Sequence, residues 1–356
     1  MDLGARSGRM DRIIKRLVPF AISLVILAAI YWKLDLRELA RGFARSDPTQ
    51  TALSLSMVIP ITMLTAWRLQ LLSPAHVKIG FAEANGLILV ASALNVVLPS
   101  KMGEIAKAYF MTKRSAMSGA LSLSIVIVEK MSDTLSLLLW CAFGLTLYPQ
   151  KDALFWALTA LVILGLIAGV VLLRSRSVAH FFFASAGRII PASKIDPPKS
   201  SNRTDSSRGE DGFAVANKVH RLEAGWIEMQ DFFWADKLRL IGVSALSVFI
   251  WFLHLLQIWL FILALRSFAP FVAALGLAPL AIFAGLLPLT FAGIGTRDAA
   301  LIFLFHRYLD APAAAAVGLL CTARYLIPAI AGLPVLHKYL GKFHPFPKSS
   351  FRAEQT

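Results

Sequence analysis

The residues of this chain able to do chemistry are charged side chains set inside apolar sequence. Lys101, Glu104 and Lys107 follow a break at Leu98-Pro99-Ser100, and Glu129 and Asp133 interrupt a long run from Gly119 to Leu147. Arg297 and Asp298 close a second break that starts at Leu287-Pro288, and Arg324 stands in a late apolar run. Each break carries at least one base and one acid beside the start of a short helix. A base close to a helix N-terminus, as Lys101 and Arg297 are, is what a phosphate-bearing group needs. Glu129 and Asp133 are four residues apart and share one helix face, whereas Lys130 points about 100° away from Glu129. That face is expected to look onto Arg324, Arg297 or a substrate cavity. Glu129 lies about eleven residues into its run, roughly 16 Å along a helix. An ionisable group that deep in a bilayer costs at least about 2.5 kcal/mol on insertion scales, which makes it a functional candidate by default. The plainer alternative is that these charges pair and only lock helices together. Glu104 and Asp298 also suit first-turn positions with Ser100 or Thr296 as caps. Capping accounts for the acids and leaves the neighbouring bases unexplained.

Other chemistries find no support. Cys141 and Cys321 both fall in apolar runs, and none of the seven histidines forms a zinc-type spacing. Gly293 and Gly295 follow no strand, so they are not a dinucleotide fingerprint, and no Walker motif or Asp-x-Asp pair occurs. No metal and no cofactor is expected.

The elements that must position these residues are membrane helices. The 356 residues are 57% hydrophobic and 16% charged, with a mean hydropathy of +0.66, a polytopic membrane protein. The net charge of +15 reads as basic cytoplasmic loops and contact with anionic lipid headgroups, not as nucleic-acid binding. A basic N-terminus, 1–16, precedes a retained first span, and the first membrane half is 17–173. A second span from Thr51 ends near Trp67, with Arg68 expected to snorkel at its cytoplasmic end. Residues 81–114 are too short on either side of the Pro/Gly break to cross about 30 Å, so they are read as a re-entrant hairpin. Residues 174–236 form a cytoplasmic loop with a disordered centre and an amphipathic helix over 213–234. In that helix Val215, Val219, Leu222, Trp226, Met229 and Phe233 recur at helical spacing, and it is expected on the membrane surface. Residues 237–340 are the second membrane half, with a second re-entrant hairpin at 271–308, and 341–356 are a cytoplasmic tail. Trp140, Trp156, Trp251 and Trp259 read as interfacial anchors or packing groups. The expected fold is all-α, with about six full spans and two re-entrant broken hairpins in an inverted repeat, the arrangement that marks a transporter's binding site.

The pattern Asn95, Leu98-Pro99, Gly103-Glu104-x-x-Lys107 and Glu129-Lys130-x-x-Asp133 resembles the integral membrane part of bacterial lysylphosphatidylglycerol synthases and their stand-alone relatives. Leu287-Pro288, Gly293-x-Gly295-x-Arg297-Asp298 and Arg324 match its second half, and the resemblance runs from about Lys15 to Lys342. It implies a lipid flippase in the bacterial cytoplasmic (inner) membrane, with both termini cytoplasmic. It places Lys101, Glu104, Lys107, Glu129, Asp133, Arg297, Asp298 and Arg324 at a lipid-binding site. The cytosolic aminoacyl-transferase domain of the two-domain relatives has no counterpart here, so a stand-alone, non-enzymatic membrane domain is expected. Lys107 and Lys130 stand where relatives often carry Arg, which departs from a bidentate phosphate pattern. The expected function is translocation of a phospholipid or related polar-headgroup lipid between leaflets. The alternatives are a non-catalytic partner of a lipid, hopanoid or glycolipid pathway, or a membrane-embedded glycosyltransferase using Glu129 or Asp133 as base. The expected partners are a lipid substrate, anionic headgroups and a lipid-biosynthesis enzyme, with no nucleic acid.

Overall fold

A computed structural model describes residues 36–74, 77, 79–98, 102–114, 117–148, 151–177, 207–286 and 295–341. Lys101, the expected first span, most of the break at 287–294 and the C-terminal tail lie outside the described residues. Those described form twelve helices and no strand. They are α1 (Leu36–Arg45), α2 (Pro48–Ser56), α3 (Val58–Leu72), α4 (Phe81–Val97), α5 (Gly103–Arg114) and α6 (Gly119–Leu147). There follow α7 (Ala153–Arg174), α8 (Ser207–Ala235), α9 (Lys237–Ala264), α10 (Phe271–Leu286), α11 (Thr296–Phe305) and α12 (Ala311–Gly341).

Inside lipid no water meets an orphan backbone N–H, so helix starts need protein partners. Asp47 accepts from the amides of Thr49 and Gln50 ahead of α2, with Pro48 at the first helical position. Ser118 accepts from Leu121 N at 3.1 Å, Asp152 from Phe155 N at 2.8 Å, and Asp236 from Leu238 N at 3.0 Å. These caps open α6, α7 and α9. Among the described residues, four helical stretches are long and apolar enough to cross a membrane: Pro48–Leu72 (α2 with α3), Phe155–Arg174 in α7, α9, and Ala311–Leu340 in α12. α6 has spanning length at 29 residues but carries Glu129, Lys130 and Asp133. α4 and α10 are apolar and shorter, at 17 and 16 residues.

The packing has an internal symmetry. α4 packs on α5 and α10 on α11; α5 packs on α6 and α11 on α12; α3 packs on α4 and α9 on α10. Across the halves, α4 packs on α12 and α10 on α6, while α3 and α9 pack on each other and each also touches both α6 and α12. Exchanging α3–α6 with α9–α12 maps this set onto itself. The two crossings between halves use the same device. A Cβ on Gly144 of α6 would lie 2.0 Å from the Gly276 carbonyl oxygen of α10, and one on Gly332 of α12 would lie 2.1 Å from the Leu89 carbonyl oxygen of α4. Lipid supplies no hydrophobic drive between helices, so close backbone approach over small residues is what holds such crossings. One apolar core surrounds each broken pair. The first takes Leu69, Leu87, Met111 and Ile125; the second takes Leu137, Phe261, Ala281 and Phe305.

One expectation is corrected here. The apolar side of α8 does not face the membrane surface alone: Trp226, Met229 and Phe233 are buried in the first core. Gly225 allows this, since a Cβ there would lie 2.7 Å from Ala120. Gln230 and Trp234 also donate to the Leu173 carbonyl at 3.1 and 3.0 Å, satisfying the end of α7. Arg176 pairs with Asp231 at the same junction. The apolar stripe was visible in the sequence, but amphipathicity alone does not say whether the apolar side meets lipid or protein.

Candidate functional site

The first broken pair and α6 assemble a closed ring of alternating charges. Arg68 of α3 holds Asp133 at 2.6 Å and Glu129 at 3.5 Å. Lys107 of α5 holds Glu129 at 2.7 Å and Glu104 at 2.8 Å. Lys130 closes the circuit, with its ammonium 3.2 Å from both Glu104 and Asp133. Three bases and three acids are thus linked so that each touches two of opposite sign. Arg68, Lys107 and Glu129 are shut off from the surface, at 1%, 0% and 0% exposure, while the Lys130 side chain is 43% exposed. The ring has a buried side and an open side.

Local sequence explains how the ring is held. The Leu98-Pro99 break ends α4, and Asn95, one turn earlier, reaches back across it. Its carbonyl oxygen accepts from Gly103 N at 2.9 Å and its amide donates to Glu104 at 3.3 Å. Gly103 lies so close to α4 that a Cβ would stand 2.3 Å from the Ala91 carbonyl oxygen. The residue types at Asn95 and Gly103 therefore fix where Glu104 sits. From the other half, Ser247 of α9 accepts from Arg68 at 3.1 Å.

The second broken pair is built differently. Gly295 has φ 102°, a backbone region that favours glycine, and its amide donates to Asp298 at 3.1 Å. Asp298 accepts from Arg297 Nε at 2.9 Å and Nη2 at 2.6 Å. Nη2 also reaches the Gly318 carbonyl and the Thr322 hydroxyl of α12, both at 2.9 Å. Arg297 and Asp298 thereby pin the start of α11 to the last helix. Arg324 lies near them on α12 at 3% exposure. Its contacts are neutral: Tyr325 Oη at 3.1 Å, the His254 carbonyl at 3.4 Å and Gln257 Oε1 at 3.5 Å. Among the described residues no carboxylate comes within 4.0 Å of Arg324, and its Nε and His254 Nδ1 have no hydrogen-bond partner.

Glu104, Lys107, Glu129 and Asp133 meet in one place. Arg297 and Asp298 meet in another, with Arg324 as their neighbour, and Lys101 lies outside the described residues. The expected approach of the Glu129 face to Arg324 or Arg297 is not what the structure has: Glu129 is taken by Arg68 and Lys107. The omission was Arg68. It reads as a snorkelling residue if the span stops at Trp67, but α3 continues to Leu72 and buries the guanidinium. A lone Arg within a spanning helix was itself a signal; its partners, 61 and 65 residues away, were not readable. Ser247, His254 and Gln257 were likewise invisible as isolated polar residues in an apolar helix.

Comparison with known sequences now bears on this geometry. Residues 16–332 match the family described as Lysylphosphatidylglycerol synthase TM region. The chain belongs to that family. It is also similar to a UPF0104 membrane protein from Methanocaldococcus jannaschii, 22% identical over 334 residues covering 90% of this chain and 94% of the relative. Family membership and the long apolar helices make this an integral membrane protein, and they link it to membrane lipid handling. The charge ring falls within the part of the chain the family covers.

Proposed function

We propose that the protein moves a polar-headgroup lipid between the leaflets of the cytoplasmic membrane as a non-enzymatic translocase. The observation that carries this reading is the closed charge ring inside membrane helices. Each such charge costs about 2.5–3.5 kcal/mol on insertion scales, and apolar residues of like volume commonly replace buried ion pairs without loss of stability. A structural lock alone needs one pair, not a circuit of six groups. A ring in which each group already has two partners can exchange one of them for a ligand charge and keep the other.

An enzymatic base is a poorer fit, because Glu129 and Asp133 are each already bonded to two cations. In this reading α4/α5 and α10/α11 are re-entrant hairpins entering from opposite faces. Support comes from their lengths: α5 and α11 have 12 and 10 residues, about 18 and 15 Å, against a core of about 30 Å. The exchange symmetry of the helix contacts is what an inverted repeat of about six spans gives. Both termini and 174–236 are then cytoplasmic. The test is lipid movement in liposomes holding the purified protein, read by chemical quenching of fluorescent phospholipid from outside. Wild type should expose inner-leaflet lipid and folded Glu129→Gln should not. No movement by wild type across several phospholipid headgroups would end this reading.

A further inference from the structure

The acids of the ring are all engaged, for Glu104, Glu129 and Asp133 each hold two cations. Asp298 holds Arg297 and the Gly295 amide. A titratable group of α9 is not engaged in this way. His254 is the eighteenth of the 28 residues of that helix, about 15 Å from its end. Among the described residues its buried Nδ1 has no hydrogen-bond partner, whereas His220, His306 and His337 are exposed residues. His254 shares one face of α9 with Ser247, two turns before it, and Gln257, one turn after it. Ser247 accepts from Arg68 of the ring and Gln257 accepts from Arg324, so His254 lies between the two charged sites. The charges within electrostatic reach of it are Arg324 on α12, Asp133 and Lys130 on α6, and Arg68 on α3. α2 and α10 also pack on α9 and contain no charged residue. The imidazole rests against Trp251, with 5.5 Å between ring centroids, and the His254 carbonyl accepts from Arg324 at 3.4 Å.

We propose that His254 is a proton-binding site and that its charging drives Arg324 off α9. The step is a proton transfer alone: the free lone pair of the imidazole takes the proton of a hydronium ion and leaves water, and no bond between heavy atoms changes. Two cations then stand side by side in a low-dielectric site and repel. Arg324 is the one able to leave, because its contacts are long and neutral. They are 3.1 Å to Tyr325 Oη, 3.4 Å to the His254 carbonyl and 3.5 Å to Gln257, against 2.6 Å between Arg68 and Asp133. The effect is reciprocal, so whatever draws Arg324 off α9 makes a proton on His254 easier to hold. Histidine suits this task, since its charge changes in the range of about pH 5 to 8 and histidines inside membranes mark proton relays. The ring carboxylates suit it less, each being already held by two cations. Polar groups lead to His254 from either half: Ser247, Arg68 and the partly exposed Asp133 from one, Arg324 and the exposed Tyr325 from the other. This rests on the reading of the protein as a lipid translocase and adds its energy source, a proton as coupling ion for the movement of α12 against α9.

The experiment joins nitrogen NMR of the full chain, histidine-labelled in phospholipid nanodiscs, to lipid movement in liposomes with and without a pH difference. The His254 signal, identified by its loss in His254→Gln, should turn reversibly from imidazole to imidazolium as pH falls from about 8 to about 4. In Arg324→Gln, which removes the repelling cation, half-conversion should come at a pH at least about one unit higher. The lipid probes are fluorescent phosphocholine and phosphoethanolamine lipids, whose headgroups keep their charge over this range. With wild-type protein and a difference of about one pH unit they should collect in one leaflet, up to about tenfold for one proton per lipid, and they should spread evenly without it. In His254→Gln they should spread evenly under both conditions. The wild-type leaflet ratio needs no variant, so a variant that fails to fold leaves the proposal testable. A His254 ring that stays neutral over the whole range in both wild type and Arg324→Gln would overturn it, as would a wild-type leaflet ratio that ignores the pH difference. The two readings fail separately: a titrating His254 without lipid movement keeps the proton site and removes the translocase, and lipid movement indifferent to the pH difference does the reverse.

Discussion

The two halves of this molecule share one set of helix contacts and carry opposite charge chemistry. Around the first broken pair, each of the six described charges of the ring has two partners of opposite sign, three bases against three acids. Around the second, Arg297 and Asp298 satisfy each other while Arg324 stays buried among neutral groups. The apolar framework, including the two glycine crossings between the halves, is alike. The polar fittings were not. Helix packing therefore sets where a broken pair sits, and the residues placed on it decide what that site can hold. α9 joins the two, since it presents Ser247 to Arg68 and Gln257 to Arg324.

The sharpest way to test that contrast is to remove one charge from each site. Glu129→Gln leaves Arg68 and Lys107 without their shared buried acid, and losing one partner of a buried pair costs about 3–5 kcal/mol. Thermal unfolding in detergent should show that loss, and combining Glu129→Gln with Lys107→Gln should recover a large part of it, the sign of direct coupling. Combining it with Arg324→Gln should instead give changes additive within about 0.5 kcal/mol, as the two share no partner. Strong coupling between Glu129 and Arg324 would mean the halves are not electrically separate.

A smaller effect tests what the halves share. Gly144→Ala and Gly332→Ala should each cost about 1–3 kcal/mol by forcing a crossing apart, and the two losses should be alike. If only one is felt, the symmetry of contacts carries no symmetry of packing strength. The smallest change is expected at Arg324. Arg324→Gln removes a buried charge that has no described carboxylate within 4.0 Å, so thermal stability should hold or rise, while lipid movement falls. A marked drop in stability would mean that Arg324 has a counter-charge. Topology bears on the same comparison through cysteines placed at Lys151 and Arg221, both exposed, in a background lacking Cys141 and Cys321. They should react from opposite sides of the membrane, and reaction from one side would undo the inverted arrangement.

Much of this was legible in the sequence because breaks and charges stand out against apolar residues. Leu98-Pro99 and Leu287-Pro288 announced interrupted helices, and Glu104, Lys107, Glu129 and Asp133 stood out as charges that would need partners. Pairing was not legible, because a guanidinium on α3 and a carboxylate on α6 meet through tertiary packing alone. Arg68 shows how a few residues of error at a helix end move a charge from the surface into the core. α8 shows a related limit: its stripe of Trp226, Met229 and Phe233 says that something apolar covers it, not what.

The central claim is that the ring serves lipid movement and is not required for the fold. Its most direct test replaces all six members together, Arg68, Lys107 and Lys130 by Met and Glu104, Glu129 and Asp133 by Leu, and measures lipid movement in liposomes beside thermal stability. The account predicts a folded protein, at least as stable as wild type, that moves no lipid. Undiminished movement would make the ring a structural ornament, and failure to fold would make it part of the scaffold; either result contradicts the claim.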